Sequence, residues 1–264
     1  MMQSSPENEK LQQKLQAGDA WYIDDQFAKQ YDRPGPRAVI QGRWEVFESA
    51  LRAYQASTLD ITGHPECRIL DAGCGDGINL LGLGQITERN GWRAKIYGVD
   101  YNPKRVERAR HSHQIVEVIN ASLASLPYPD GWFSVIICNQ VLEHIPDPQL
   151  VLQELARVLR KGGVLVLGVP NEGCALARLR NRYLQPSILR TTDHVNFFTS
   201  DALRTQLQGE GFTVASVVRS GFFVPHLVVH YVISRFRIGR ILLNLLGKLV
   251  PSQSAELIAI AHKP

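Results

Sequence analysis

Nine consecutive residues, Ile69-Leu70-Asp71-Ala72-Gly73-Cys74-Gly75-Asp76-Gly77, constrain the fold more than any other stretch of the 264-residue chain. An apolar run leads into three glycines at alternate positions, and a helical pattern at 78–89 follows at once. Glycine has no Cβ, so the backbone there can turn sharply and a ligand can approach it closely. The junction of strand and helix puts this curl at the carboxyl end of a buried strand, where open α/β sheets bind their ligands.

Apolar runs at 68–71, 94–100, 115–120, 133–139 and 164–169 alternate with helical patterns at 78–89, 103–111 and 148–159. That alternation predicts a doubly wound, Rossmann-like α/β fold with a mostly parallel sheet. A helix at about 200–209 and strands at about 212–218 and 255–262 bring the sheet to seven strands. Lys161-Gly162-Gly163 reads as the end of the preceding helix, with lysine in its last turn and glycine beyond. Upstream, Trp44, Phe47, Leu51 and Tyr54 recur in steps of three and four, predicting an amphipathic helix after the turn Arg33-Pro34-Gly35-Pro36. Residues 1–16 read as a frayed or helical tail, 1–56 as a helical segment lying over the site, and 57–264 as one domain.

Composition narrows the setting. A 44% hydrophobic content supports a substantial core, and four cysteines without a CxxC pair fit free thiols in a reducing compartment. The polar N-terminus does not read as a secretory signal, and no run is apolar enough for a membrane span, so the expectation is a cytoplasmic protein. The net charge is +4, yet residues 175–250 hold ten Lys/Arg against three Asp/Glu. Aromatic interleaving of the basic residues is absent, which argues against nucleic acid as a partner.

The spacing of the glycines discriminates between cofactors. A dinucleotide fingerprint needs glycine where Ile78 stands, which disfavours a nicotinamide-dependent enzyme. Asp71 and Asp76 put carboxylates in the loop, which suits a ligand bearing ammonium and sulfonium groups better than a diphosphate. Charge complementarity thus favours S-adenosylmethionine, and Asp100, closing the second strand, can accept hydrogen bonds from ribose hydroxyls.

Five stretches in order, ILDAGCGDG (69–77), VDYNPKRVERAR (99–110), LPYPDGWFSVIICNQVLEHIPDP (126–148), ELARVLRKGGVLVLGVPN (154–171) and DHVNFFTSDALRTQLQGEGF (193–212), resemble the class I S-adenosylmethionine-dependent methyltransferases. The resemblance runs from about residue 65 to 218 and is to the broad branch that includes the ubiquinone-biosynthesis O-methyltransferases. It implies that Asp71, Gly73, Gly75 and Gly77 surround the methionine moiety, that Asp100 holds the ribose and that Tyr101 covers one adenine face. It further implies that Ser122 and Leu123 lie beside the adenine and that Asn139 borders the reacting methyl. Tyr31 resembles a tyrosine with which relatives cap the cofactor, and packing of an amphipathic segment explains it equally well. The chain departs from the pattern at Ser122, where relatives carry an acid, and at Ser134, where an aspartate is usual.

Methyl transfer from a sulfonium gains most of its rate from alignment in a dry site, and a hydroxyl acceptor must also lose a proton. Glu143-His144 and Asp193-His194 fall where strand ends face the acceptor, so His144 or His194 can serve as base. In the quinone O-methyltransferases a Glu-x-x-Glu-His run supplies ligands for a divalent metal; here it begins with Gln140, and the expectation is no required metal.

Between the last two strands lies an apolar, basic insertion, residues 222–250, read as a helix pair around Gly239. Such a segment fits a membrane interface or a lipid-like acceptor, and equally packing on the domain or on a second copy. Arg178, Arg180, Arg182 and Arg190 make a basic insert suited to an anionic phosphate. The reading is a methyltransferase acting on a small-molecule or lipid-linked acceptor, with a cofactor-binding scaffold without turnover as the alternative. The sequence fixes neither the acceptor nor the oligomeric state.

Overall fold

The computed structural model describes residues 12–14, 16, 20–58, 67–112, 117–188 and 192–264. Most of the expected tail, and Arg190 of the basic insert, lie outside the described residues.

A single helical turn, Ala20–Ile23, precedes the long helix α1 (Pro34–Thr58). The helix begins at Pro34, so Pro34 and Pro36, read above as a turn before it, occupy its first turn. Those positions have no intrahelical acceptor to lose, so proline is tolerated there. Along α1, Ile40, Trp44, Phe47, Leu51 and Tyr54 are all buried, the face that the spacing predicted.

There follow β1 (Cys67–Ala72), α2 (Ile78–Arg89), β2 (Ala94–Asp100), α3 (Pro103–Ser112), β3 (Glu117–Asn120), β4 (Phe133–Asn139), α4 (Pro148–Val158) and β5 (Leu159–Pro170). Then come α5 (Ala175–Leu179), α6 (Ser200–Gly209), β6 (Thr213–Ser220), α7 (Leu227–Arg235), α8 (Arg237–Leu249) and β7 (Glu256–His262). Among the described residues the sheet has seven strands in the order β3-β2-β1-β4-β5-β7-β6. All neighbours are parallel except β7, which runs antiparallel to both β5 and β6.

The sheet separates two apolar layers, and alternate strand residues serve each. Ile69 and Ile137 pack with α1, α2 and α3, whereas Leu70 and Ile136 pack with α4 and α6. The reversal of winding order between the parallel strands β1 and β4 opens the crevice at the strands' carboxyl ends.

Two boundaries differ from the sequence reading. α4 stops at Val158, and Lys161-Gly162-Gly163 belong to β5. There Gly162, at φ 70°, marks a bend where its amide donates to the Lys263 carbonyl, so the glycines curve a strand and do not cap a helix. In the insertion, the break between helices falls at Phe236. Gly239 lies inside α8 because its backbone crosses the Ile233 carbonyl, where a Cβ would come within 2.0 Å of the oxygen.

Trp44 presses its indole onto the backbone of α2 at Gly82, where a Cβ would lie 2.3 Å from the ring. Replacement Gly82→Ala should gain helix propensity of about 1 kcal/mol but force an overpacked contact costing about 1–3 kcal/mol. A net loss of stability, read as a lower urea midpoint with an unchanged slope, is the expected outcome.

Candidate functional site

The glycine curl is built by the end of β2. The amides of Gly73 and Cys74 both donate to the Val99 carbonyl at 2.8 and 2.9 Å, and the Gly75 amide donates to Asp100 Oδ2 at 2.9 Å. The other oxygen of Asp100 accepts from the Asn102 amide at 2.9 Å. Gly73, at φ 81°, tolerates no side chain, since a Cβ would come 2.4 Å from Val141. Burial raises Asp100 above the usual aspartate range, while Arg105 and the two amides oppose that shift.

These elements wall a cavity of about 530 Å3 at the carboxyl ends of β1, β2 and β4. Of the residues singled out by sequence, Gly73, Asp100, Tyr101, Ser122, Leu123 and His144 line it. Asp71, Gly75, Gly77, Asn139, Tyr31, Glu143 and His194 do not. Asp71 is fully buried behind the curl, and burial, followed by the charge of Asp100, pushes its carboxyl up to about 8. Gly77, at φ 95°, turns the chain into α2. Asn139 is turned into the sheet over Gly168. Asp76, read above as a carboxylate for the ligand, is instead taken by the Gln26 amide at 2.7 Å and by Arg108 at 2.9 Å.

Tyr31 is displaced from the cavity by a wide helical turn, Phe27–Tyr31, which sets its ring 5.6 Å from Trp44 and against the Arg37 guanidinium. Of the tyrosines in the N-terminal segment, the one that borders the cavity is Tyr22. Its hydroxyl donates to Asp193 at 2.9 Å, its ring meets Tyr101 edge-on at 6.5 Å, and its carbonyl accepts from Asn102. The signal that could have found it is another aromatic residue in the same N-terminal segment, nine positions before Tyr31.

On the opposite wall, Gln140 follows β4 in a left-handed conformation, φ 58°, strained for a residue with a side chain. Its amide donates to Gly168, and its carboxamide donates to Glu256 at 2.9 Å, which Arg43 also meets at 2.6 Å. Beyond it, His144 reaches the cavity with His194 behind it, ring centroids 4.8 Å apart. His194 stands 3.1 Å from Glu172, which is bound by the buried Arg180 at 2.7 Å. Burial opposes ionisation of Glu172, but His194 and Arg180 outweigh it and hold the carboxyl below its ordinary range. Sequence reasoning passed over Glu172, although a carboxylate just past the end of β5 sits where open sheets place functional groups.

Glu143 is almost wholly buried; its carboxyl oxygens accept no hydrogen bond among the described residues, and His144 Nε2 stands 3.8 Å away. Burial pushes its carboxyl up to about 8. Glu143, His144 and His194 converge, each offering a donor atom within 4.8 Å of the others. A cation held there would have to displace the Glu143 proton and compete with Glu172 for His194. Gln140, where relatives carry the first carboxylate, faces Glu256 instead.

Gly73 without a side chain, the Asp100 carboxylate and the Tyr101 ring around one cleft fit an adenosyl ligand with a small polar tail, at the strand ends of a seven-stranded sheet of the class I, Rossmann-like type. Residues 27–217 match a family model described as a methyltransferase domain. The chain therefore belongs to that family, in its class I, S-adenosylmethionine-dependent branch, and S-adenosylmethionine is the cofactor of the class. A probable S-adenosylmethionine-dependent methyltransferase of Mycobacterium tuberculosis is 36% identical over 110 residues, 40% of this chain and 38% of that protein. A ubiquinone biosynthesis O-methyltransferase of Xanthomonas oryzae is 32% identical over 157 residues, covering 56% and 62%. A solved structure of a putative sarcosine dimethylglycine methyltransferase from Galdieria sulphuraria superposes with a TM-score of 0.61 at 17% identity, covering 84% of this chain and 86% of that one, and shares the fold. The matches span 36% to 62% of the length of the first curated relatives.

An ordinary glutamate titrates at 4.5, and Glu143 at about 8. Between those values the folded state keeps a proton that the unfolded chain has released, so stability falls as pH rises, by at most about 1.4 kcal/mol per pH unit. Glu143→Gln should flatten this fall, measured as urea stability from about pH 5 to about pH 8.

Proposed function

We propose that the protein transfers a methyl group from S-adenosylmethionine to a hydroxyl of a small-molecule or lipid-linked acceptor. The observation that carries this reading is His144 on the cavity wall, backed by His194 and the Glu172–Arg180 pair. The bound cofactor supplies an electrophilic methyl on a good leaving group.

The chain's own residues do the rest. Asp100 and Tyr101 hold the adenosine, and Gly73 leaves room for the methionine portion against the backbone. Tyr22 gives the N-terminal segment its part as the cover of the site, pinned by Asp193 and Asn102. His144 Nδ1 lies 3.4 Å from the Asp193 carbonyl, a contact that favours the proton on Nδ1, and a neutral imidazole on the cavity wall can take the acceptor's proton. Ile145, Pro146 and Leu150 give the acceptor side an apolar lining that excludes water. The name of the Xanthomonas relative, an O-methyltransferase, supports oxygen as the methylated atom. The expected place is the cytoplasm, with the insertion at 222–250 meeting a membrane surface.

His144→Ala should lower kcat by about 10²- to 10³-fold while S-adenosylmethionine affinity, read by calorimetry, changes little. Asp100→Ala should abolish cofactor binding altogether. Release of S-adenosylhomocysteine with quinol, glycolipid and polyketide acceptors tests turnover. Binding without turnover on any of them would favour a scaffold instead. Turnover should also survive a chelating agent; loss that only a divalent cation restores would replace the histidine base by a metal held at Glu143, His144 and His194.

A further inference from the structure

α8 turns its most apolar face to solvent. Ile238, Ile241, Leu242, Leu245 and Leu249 lie in steps of three and four and so form one stripe, and its ends are 80% and 76% exposed at Ile238 and Leu249. Helices on a globular domain ordinarily bury such a stripe. Here the inward side is made by Leu243 and two glycines: a Cβ on Gly247 would come 2.1 Å from the Gly221 carbonyl, and one on Gly239 2.0 Å from that of Ile233. Backbone seated on backbone fixes the roll of the helix, so the stripe cannot turn inward without breaking both contacts.

The segment around α8 carries one sign of charge. Residues 211–255 contain five Lys/Arg and no Asp or Glu. On the helical wheel Arg237 and Lys248 fall together on one flank of the stripe, about 80–100° from its centre. Long basic side chains so placed can lay their stems along an apolar surface and lift their charges to phosphates above it. Phe236, exposed at the joint, and Val228, Tyr231 and Val232 on α7 extend the apolar surface. None of the described helices is long and apolar enough to cross a membrane.

We propose that α8 lies in the plane of an anionic lipid bilayer, its aliphatic stripe among the acyl chains and Arg237 and Lys248 at the headgroups. Aliphatic side chains with a one-sided basic flank and no carboxylate match that surface. A second copy of the chain would offer the same basic surroundings with nothing between 211 and 255 to neutralise them. This deepens the membrane contact proposed above and is independent of which acceptor is methylated.

The test is sedimentation of the full chain with phosphatidylcholine vesicles, with and without phosphatidylglycerol. The wild type should partition into the anionic vesicles more than about tenfold better, and less as salt rises. Ile238→Glu/Leu242→Glu/Leu249→Glu should lose more than about tenfold of that binding. Arg237→Glu/Lys248→Glu should lose the preference for anionic lipid, and both variants should bind S-adenosylmethionine like the wild type. If the triple variant loses the cofactor as well, the charge-reversed variant and the salt dependence decide. Wild-type protein left in the supernatant with both vesicles would overturn the proposal, as would variants that sediment like the wild type. So would light scattering showing a dimer that the triple variant dissociates while vesicles capture neither form. Because S-adenosylmethionine titration is read separately, failure here leaves the catalytic reading standing, and failure of that titration leaves this one standing.

Discussion

The Asp100 carboxylate is the joint on which the site depends. One oxygen takes the Gly75 amide and the other the Asn102 amide, so a single side chain binds the glycine curl to the start of α3. The carboxylate is buried, and a buried charge without donors would be costly; two backbone amides and the nearby Arg105 offset that cost. The same side chain lines the cavity. Holding the loop and lining the cavity are therefore one arrangement.

Behind the acceptor wall the charges are arranged differently. Arg180 and Glu172 form a buried pair that gains its stability from mutual attraction and from His194. The more deeply buried Glu143 accepts no hydrogen bond among the described residues, and burial pushes its carboxyl up to about 8 although the charge of Arg43 opposes the shift. Two neighbouring glutamates thus shift in opposite directions because one is hydrogen-bonded by a guanidinium and paired with a histidine, whereas burial dominates at the other.

The parallel strands and the helices between them were legible because each is an apolar run with one period, bounded by glycine, proline or a polar turn. Ala94–Asp100, Phe133–Asn139 and Ile78–Arg89 stand at the bounds that their patterns indicated. Asp100 was legible from its place at the end of a strand, and Tyr101, Ser122 and Leu123 only through the resemblance that the motifs carry; all four line one cavity. What pattern could not supply was side-chain direction in irregular backbone. Tyr31 and Tyr22 look alike in sequence, and only the wide turn at 27–31 decides which faces the cavity. Lys161-Gly162-Gly163 looks like a helix end, yet β5 continues through it, since Gly162 bends to meet Lys263 from the far end of the chain. Pairing over a hundred residues leaves no local trace.

That same long reach has a consequence at Gln140. Its strained backbone and its carboxamide are steadied by Glu256, and Glu256 opens β7, the last strand in chain order but one that lies between β5 and β6. While the chain is emerging from a ribosome, β5 must wait with an open edge, and the rim beside His144 has no anchor. The rim of the pocket is thus completed by a strand that follows the helical insertion, and its shape depends on how that strand pairs.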